Sequence, residues 1–357
     1  MNMKKTFLLL CAIASAGMMW AQKPVKAEMK SLQNFLQQPA AEAATNAQAL
    51  GITNLNDPST WPGVKTQGGS IVEIDWKNKK LAGSLDLSGF QNLQSVNLTD
   101  NQLISLDVSN DPALTILNAG RNRLVNLMVN ACPQLRELRV FRNHLTTLTV
   151  EGVPSLEKLN ISSNNVTQLD VANVTTLKSL NVTNNGMQAL DINGCSSLVN
   201  LYAGFNKLTD FEFSGLNNLL NLNIQSNRIK NLYLQDLPAL STLYANDNHM
   251  QGIALKGLKN LHDVFAPYNS LTSFTLEACP NVDNINLAWN DLESLNLSGL
   301  FALQTLNVAN NQLTVLDVSF DSVLTYVNLA GNNMLEDFIT TGCSELRQVV
   351  GVWDEME

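Results

Sequence analysis

The chain has 357 residues, of which 15% are charged and 6% are aromatic, and its formal net charge of −9 gives a sequence pI near 4.9. Such an acidic chain argues against nucleic-acid binding, because nucleic-acid-binding proteins present basic surfaces to phosphates. After the first residues, no apolar stretch approaches the roughly 20 residues that a membrane span needs, so we expect no transmembrane segment.

Residues 1–21 predict a secretory signal peptide. Lys4 and Lys5 form its basic start, Phe7–Ile13 form its apolar centre, and small residues follow. Cleavage after Ala16 and cleavage after Ala21 both fit this pattern. We therefore expect an exported protein that is secreted or held at the cell surface.

Residues 22–70 predict an N-terminal helical cap. Met29, Leu32, Phe35 and Leu36 are spaced as on one face of a helix. A stack of parallel coils exposes an apolar end unless an atypical unit covers it, so a cap is expected at this place. The segment Trp61–Val64 then joins the cap to the first coil.

An asparagine recurs every 21 residues through the rest of the chain. The segment Leu93–Leu103 has the form L-x-x-L-x-L-x-x-N-x-L, in which Val96 and Leu98 alternate with polar residues as in a strand with one buried face. An asparagine amide can both donate to and accept from backbone groups that the following turn leaves unpaired. The recurring residues are Asn101, Asn122, Asn143, Asn164, Asn185, Asn206, Asn227, Asn248, Asn269, Asn290, Asn311 and Asn332.

This period predicts an α/β solenoid dominated by β and irregular coils, with about 13 coils over residues 71–345 and an end segment at 346–357. We expect a curved solenoid with a parallel sheet on its concave side. A second apolar alternation, as at Leu106 and Val108, predicts another extended segment on a different side of each coil.

The linker that closes each coil carries one residue that is expected to point inward. Cys132, Cys195, Cys279 and Cys343 share this slot, in which Asp111 and Asp321 are polar exceptions. The nearest cysteines are three coils apart, or roughly 14 Å at ~4.8 Å per coil, which exceeds the Cα separation of ~7 Å that a disulfide tolerates. We therefore predict buried free thiols, with no disulfide and no shared metal site.

The LDVS tetrads at Leu106–Ser109 and Leu316–Ser319, the 21-residue period and the asparagine ladder resemble bacterial leucine-rich repeats of the internalin J type. In that type a cysteine often occupies the last strand slot, whereas here the slot holds residues such as Leu98 and Ala119. The resemblance implies a leucine-rich-repeat solenoid that binds a protein partner, with adhesion to host or neighbouring cells as its setting.

No residue pattern predicts catalysis. The chain has His144, His249 and His262 as its histidines, and spacing pairs none of them with a nucleophile. Asp170 and Asp191 lie in adjacent coils and could together attract a cation, but we interpret them as solvated surface. We expect a protein that is not an enzyme and that uses no cofactor or metal.

The outward positions of the concave strands are where we expect function, because the repeat dictates the inward ones. Exposed aromatic residues are typical contacts for a protein partner. Flat rings also stack on sugars, and the alternative without function is a ladder of rings packed on one another. The aromatic candidates are Tyr202, Phe205, Tyr244, Phe265, Tyr268 and Trp289.

Basic residues form a second candidate group towards the amino end. Arg121 and Arg142 share one slot in adjacent coils, Arg139 lies nearby, and Arg123 and Arg136 extend the group. Stacked like charges are unfavourable, so the group predicts an acidic partner surface or a phosphate or carboxylate ligand. The alternative is a solvated face whose charges are partly paired.

These observations predict a secreted or surface-exposed recognition protein that binds a host or bacterial surface protein through its concave face. The alternatives are a carbohydrate-binding protein that uses the aromatic residues, and a non-catalytic structural spacer.

Overall fold

The structure is a computed structural model that describes residues 25–210, 212–319 and 321–351. The signal peptide predicted at residues 1–21 lies outside the described residues. The chain divides into two compact units, Met1–Pro133 and Gln134–Glu357. The described residues make about 13 solenoid turns, which consist mostly of strands and coils with few helices, as predicted.

The first unit begins with helices and continues with short strands. Its helices are α1 (Val25–Leu36), α2 (Asn46–Leu50) and a 3-10 turn at Pro58–Thr60. Its strands are β1 (Val64–Gln67), β2 (Ser70–Asp75), β3 (Ala82–Asp86), β4 (Ser95–Asn97), β5 (Gln102–Asp107), β6 (Ile116–Asn118) and β7 (Asn126–Met128).

Helix α1 covers the start of the coils, as the sequence predicted. Its residues Leu32, Phe35 and Leu36 are fully buried, and the Phe35 ring stacks on Trp76 with centroids 6.0 Å apart. Side-chain amides then occupy the free edge of β3: Asn46 accepts from the Ala82 amide at 3.1 Å, and Gln38 accepts from the Ser84 amide at 2.9 Å. The edge strand of this sheet is therefore capped by amides rather than left open.

The hairpin of β1 and β2 is a feature that the sequence interpretation did not include. The two strands pair antiparallel, whereas β2, β4 and β6 pair parallel with one another. Gly68 and Gly69 form the turn with φ of 58° and 84°, and a two-residue hairpin turn with positive φ at both central positions favours glycine. A second parallel sheet in this unit contains β3, β5 and β7.

The second unit repeats one coil many times. Its strands are β8 (Glu137–Arg139), β9 (Lys158–Asn160), β10 (Ser179–Asn181), β11 (Asn200–Tyr202), β12 (Asn221–Asn223), β13 (Asn231–Leu234), β14 (Thr242–Tyr244), β15 (Gly252–Lys256), β16 (Asp263–Phe265), β17 (Ser273–Glu277), β18 (Asn284–Asn286), β19 (Thr305–Asn307), β20 (Val315–Asp317), β21 (Tyr326–Asn328), β22 (Asp337–Ile339) and β23 (Gln348–Val350).

One parallel sheet, which we call the main sheet, runs through this unit in the order β8-β9-β10-β11-β12-β14-β16-β18-β19-β21-β23. Neighbouring strands pair one repeat apart, as Leu243 does with Leu222 and with Val264. The middle residue of these strands points inward and is buried in all of them except β23, where Val349 is half-buried, while its two neighbours lie on the opposite side of the sheet. We call that side the outer face.

The second extended segment was predicted on every coil, and the structure corrects this. Among the described residues of the second unit it forms strands only in β13-β15-β17 and β20-β22. Between β7 and β13, these residues contain only an isolated bridge between Asp170 and Asp191 at the corresponding place.

The asparagine ladder makes the internal hydrogen bonds that its chemistry predicted. Asn227 is buried, donates from Nδ2 to the carbonyls of Ala203 and Ile224 at 3.0 Å each, and accepts the Leu208 amide at 3.0 Å. Three buried backbone groups are thereby satisfied. The two carbonyls also accept from Asn206 and Asn248, so a leucine of similar size would leave the Leu208 amide unpaired. The ladder is therefore part of the scaffold.

The four linker cysteines are free thiols, as predicted. Cys132, Cys195 and Cys279 are buried as expected, whereas Cys343 is only partly buried. The Cys195 thiol donates to the Val171 carbonyl at 3.2 Å, and burial raises its pKa to about 11. Asp111 takes the same slot and is fully buried. Its Oδ1 accepts the Phe90 amide at 2.7 Å, while its Oδ2 has no hydrogen-bond partner among the described residues.

Candidate binding surface on the main sheet

The outer face carries a second asparagine ladder that sequence reasoning missed. In most strands of the main sheet the last residue is an asparagine whose Oδ1 accepts the backbone amide two residues later, as Asn223 accepts Gln225 at 3.2 Å. This bond stabilises the bend that follows the strand. The other members in the second unit are Asn160, Asn181, Asn286, Asn307 and Asn328.

Four strands replace this asparagine by a larger side chain. Arg139 ends β8, Tyr202 ends β11, Tyr244 ends β14 and Phe265 ends β16. None of these side chains has the amide oxygen that makes the local bond, and after Phe265 the residue two places on is Pro267, which has no amide hydrogen to donate. At these four positions the hydrogen bond from the backbone amide to the asparagine is absent, and an exposed or half-exposed side chain takes the place of the asparagine.

A further slot, three residues after the end of each strand, has left-handed backbone. Arg142, Phe205, Tyr268 and Trp289 occupy it with φ of 52°, 57°, 56° and 59°. This conformation costs ordinary side chains about 1–2 kcal/mol, and glycine, asparagine and aspartate tolerate it best. Small or polar residues do occupy the slot in neighbouring coils, at Ser163, Asn184, Ser226, Asp247 and Asn310.

Two pairs of rings stack across neighbouring coils. Tyr244 and Phe265 lie on paired strands with centroids 5.0 Å apart and planes at 15°, and Tyr268 and Trp289 stack at 5.8 Å and 13°. Tyr244 remains 40% exposed, Tyr268 55% and Trp289 51%, while Phe265 is half-buried. We call these four residues the aromatic patch.

Tyr202 and Phe205 lie apart from the aromatic patch. Strand β12 separates their coil from that of Tyr244, and it carries Asn223 and Ser226 at the two corresponding slots. At ~4.8 Å between strands, this places Tyr202 roughly 10 Å from Tyr244 along the sheet. The structure thus brings four of the six predicted aromatic residues together and leaves two as a separate exposed pair.

The predicted basic group is largely paired with carboxylates. In the second unit, Arg139 lies 2.8 Å from Glu137 and Arg136 lies 2.8 Å from Glu157. In the first unit, Arg121 lies 3.5 Å from Asp100. Exposed pairs of this kind contribute only about 0–1 kcal/mol of stability, but they neutralise charge that an acidic partner would otherwise attract. A role of these arginines in partner binding stays a prediction.

The described residues contain no group of three His, Cys, Asp or Glu side chains arranged to hold a metal ion. Within the same part of the chain, no helix has the length and apolar character needed to cross a membrane.

A comparison with protein-family models and with curated proteins finds no match. Solved structures do match. The functional domain of InlJ from Listeria monocytogenes, which includes a cysteine ladder, has a TM-score of 0.58 and 23% identity, covering 88% of this chain and 64% of that one. A leucine-rich-repeat protein from Leptospira interrogans has a TM-score of 0.50 and 21% identity, covering 74% and 90%.

The chain has the leucine-rich-repeat fold. The predicted resemblance to the internalin J type is therefore confirmed as a likeness of fold. PEPR1, solved with AtPEP1, is also similar, with a TM-score of 0.59 and 18% identity over 88% of this chain. The chain spans 64% of the InlJ structure and 55% of the PEPR1 structure, so it corresponds to part of each.

Proposed function

We propose that this protein is an exported recognition protein that binds a protein partner through the outer face of its main sheet. The aromatic patch is the observation that carries the proposal. Three of its four side chains are 40–55% exposed, and they occupy slots that neighbouring coils fill with asparagine or with small polar residues. Exposed Tyr and Trp in one patch supply large contact area at low entropic cost.

Stacking within the patch does not by itself explain these residues. An aromatic pair contributes about 0.5–1.5 kcal/mol beyond burial of its area. Holding Tyr268 and Trp289 in left-handed backbone costs about 1–2 kcal/mol each, or about 2–4 kcal/mol for the pair, which exceeds the gain from their stacking. Stacking alone therefore does not account for the two rings, and binding supplies a reason for them.

The fold supports a protein or peptide as the partner. Leucine-rich-repeat solenoids are a protein-interaction fold, and PEPR1 was solved together with AtPEP1. By analogy with the internalins, we propose adhesion to host or neighbouring cells as the setting. Export by residues 1–21, a cap over residues 22–70 and a repeat region over residues 71–345 belong to the same proposal.

Carbohydrate binding is the second candidate, because flat aromatic rings can stack on sugars. With planes at 13° and 15°, stacking uses one face of each ring and leaves at most the other face for a sugar. A spacer without a ligand is the third candidate, and it gives no reason for the aromatic residues.

Affinity capture tests the proposal. The bait is the chain from Gln22 onward, exposed to surface proteins of host cells and of neighbouring bacteria, and the captured proteins are quantified by mass spectrometry. The test variant carries Tyr244→Ala, Phe265→Ala and Trp289→Ala. The matched control carries Tyr233→Ala and Phe301→Ala, which remove aromatic side chains that are 57% and 66% exposed but lie off the outer face.

We expect the test variant to lose at least one partner that wild type and control both retain. Circular dichroism and a urea melt of each variant show whether it is folded. If the folded test variant captures the same proteins in the same amounts as wild type, the patch is not the binding surface. A glycan-array signal that depends on Trp289, with no protein captured, would instead favour the carbohydrate alternative.

A further inference from the structure

Charge on the outer face is divided between two parts of the second unit. The repeat segments Leu240–Met250, Leu261–Leu271 and Val282–Leu292, which hold the aromatic patch, contain four aspartates and no lysine or arginine. We call these aspartates the acidic rim: Asp247, Asp263, Asp283 and Asp291. The segments nearer the start of the unit hold the basic residues Arg136, Arg139, Arg142, Lys158 and Lys178.

The acidic rim lies beside the rings. Asp263 is on β16, on the same side as Phe265. Asp247 occupies the left-handed slot one coil before Tyr268. The Asp247 amide donates to the Pro267 carbonyl in the coil of Tyr268 at 3.1 Å. Asp283 immediately precedes β18, and Asp291 follows Trp289 by two residues. A ligand that covers the rings therefore meets carboxylates on several sides.

The hydrogen-bond partners of these carboxylates in the structure do not cancel their charge. Asp263 accepts from the Asn284 amide at 3.1 Å, and Asp291 accepts from the Gln312 amide at 3.1 Å. Asp247 accepts from the side chain of Asn246. Asp283 lies 3.0 Å from the His262 ring, which is charged only when protonated.

The basic residues are paired in a different way. Glu157 lies 2.8 Å from both Arg136 and Lys178, and Glu137 lies 2.8 Å from Arg139 and 3.6 Å from Lys158. Carboxylates within the fold therefore neutralise much of the basic end, while no lysine or arginine among the described residues forms an ion pair with the acidic rim. The unbalanced charge of the outer face lies around the aromatic patch.

From this complementarity we propose that the aromatic patch and its acidic rim bind a cationic segment of a protein partner, in which arginine or lysine alternates with apolar residues. The inference rests on the proposed function and specifies the chemistry of the partner. The ring faces of Tyr268 and Trp289 that stacking leaves open accept a guanidinium by cation–π contact, and the aspartates pair with it through charge-assisted hydrogen bonds. Apolar side chains of the same segment cover Tyr244 and Phe265.

Two variants with the same change in net charge test the proposal. The rim variant carries Asp247→Asn, Asp263→Asn, Asp283→Asn and Asp291→Asn. The control variant carries Asp170→Asn, Asp191→Asn, Asp317→Asn and Asp337→Asn, all exposed and away from the outer face. Asparagine keeps the acceptor oxygen that Asp170, Asp191 and Asp317 offer to backbone amides, so folding is preserved.

The probe is a short fluorescein-labelled peptide in which arginine alternates with leucine, measured by fluorescence anisotropy. A matched peptide has citrulline in place of arginine, which keeps the shape and removes the charge. We expect wild type and control to bind the arginine peptide equally, and the rim variant to bind about tenfold more weakly or worse. Added salt should weaken binding to wild type and control far more than binding to the rim variant.

The proposal is overturned if the arginine peptide fails to bind wild type, if citrulline binds as well as arginine, or if rim and control variants weaken binding equally. None of these results contradicts the proposed function, which is tested separately by whether partner capture depends on Tyr244, Phe265 and Trp289. A different combination would also contradict the proposal: the rim variant loses peptide binding, but the aromatic substitutions leave partner capture unchanged. Charge alone would then account for recognition, without the rings.

Discussion

Replacing Asp111 by asparagine should remove a loss of stability that grows with pH. Asp111 is fully buried, and burial raises the pKa of its carboxyl from 3.8 to about 8 because the charged form loses water. In the folded state the proton is kept up to about pH 8, whereas the unfolded chain releases it near pH 4. The folded state therefore binds more protons over this window, and the free energy of unfolding falls as pH rises through it.

The size of the effect follows from the two pKa values. Each unit of difference contributes about 1.4 kcal/mol, so a shift from 3.8 to about 8 gives roughly 6 kcal/mol as an upper limit at high pH. Asp321, in the same slot, has its pKa raised to about 6 and should add a smaller effect that is complete at lower pH. Asparagine at position 111 stays neutral throughout and keeps the oxygen that accepts the Phe90 amide.

Urea unfolding followed by circular dichroism at pH 4 to 9 measures this difference. Wild type and Asp111→Asn should be similar in stability near pH 4, and the variant should become more stable by several kcal/mol by pH 9, within the upper limit above. The exposed Asp86→Asn, in the same unit, serves as the control and should show no such trend. A difference between wild type and Asp111→Asn that stays constant with pH would refute the reasoning.

Three further outcomes are expected. Asn227→Leu should lower the free energy of unfolding by about 1–3 kcal/mol in urea titrations, because the buried Leu208 amide loses its partner while the Ala203 and Ile224 carbonyls keep Asn206 and Asn248; Asn223→Leu, on the outer face, should have a smaller effect. Tyr268→Asn with Trp289→Asn should change stability by only about 1 kcal/mol while abolishing partner capture, since relief of left-handed strain offsets the lost stacking together with the lost burial of the half-covered rings. Cys195 should resist iodoacetamide at pH 8 until urea is added, because it is buried and burial raises its pKa to about 11; rapid labelling of the folded protein would contradict this.

The inward half of each coil was predictable from the sequence because repetition tests the same position many times. Every coil needs an apolar residue at the slots of Leu222 and Ile224, and an amide at the slot of Asn227, for the same physical reason. The hairpin of β1 and β2 was not predicted, since it occurs once and its signal is only the pair Gly68 and Gly69. A feature that occurs once, such as this hairpin, has no equivalent position in other coils with which its pattern can be compared.

The candidate site was only partly predictable, because side-chain partners on a surface depend on distances that a repeat pattern does not give. The slot of Tyr268 and Trp289 was identified as outward, but its left-handed backbone became evident only in the structure. In the same way, the sequence placed Arg136 in a basic group, and only the structure paired it with Glu157 one coil later. The period predicts which residues share a slot, whereas the pairing of surface charges and the strain of the backbone are evident only from the three-dimensional structure.

Departures from a repeat can be separated by burial into those that affect stability and those that affect binding. Asp111 breaks the pattern of its slot inside the coil, where no partner can reach it, so its consequence is confined to stability and its pH dependence. Tyr268 and Trp289 break the pattern of theirs on the outer face, where half of each side chain remains exposed and the stacking gain is smaller than the backbone strain. Of these two departures, only the second can act on a partner, and the acidic rim around it specifies that the partner is cationic.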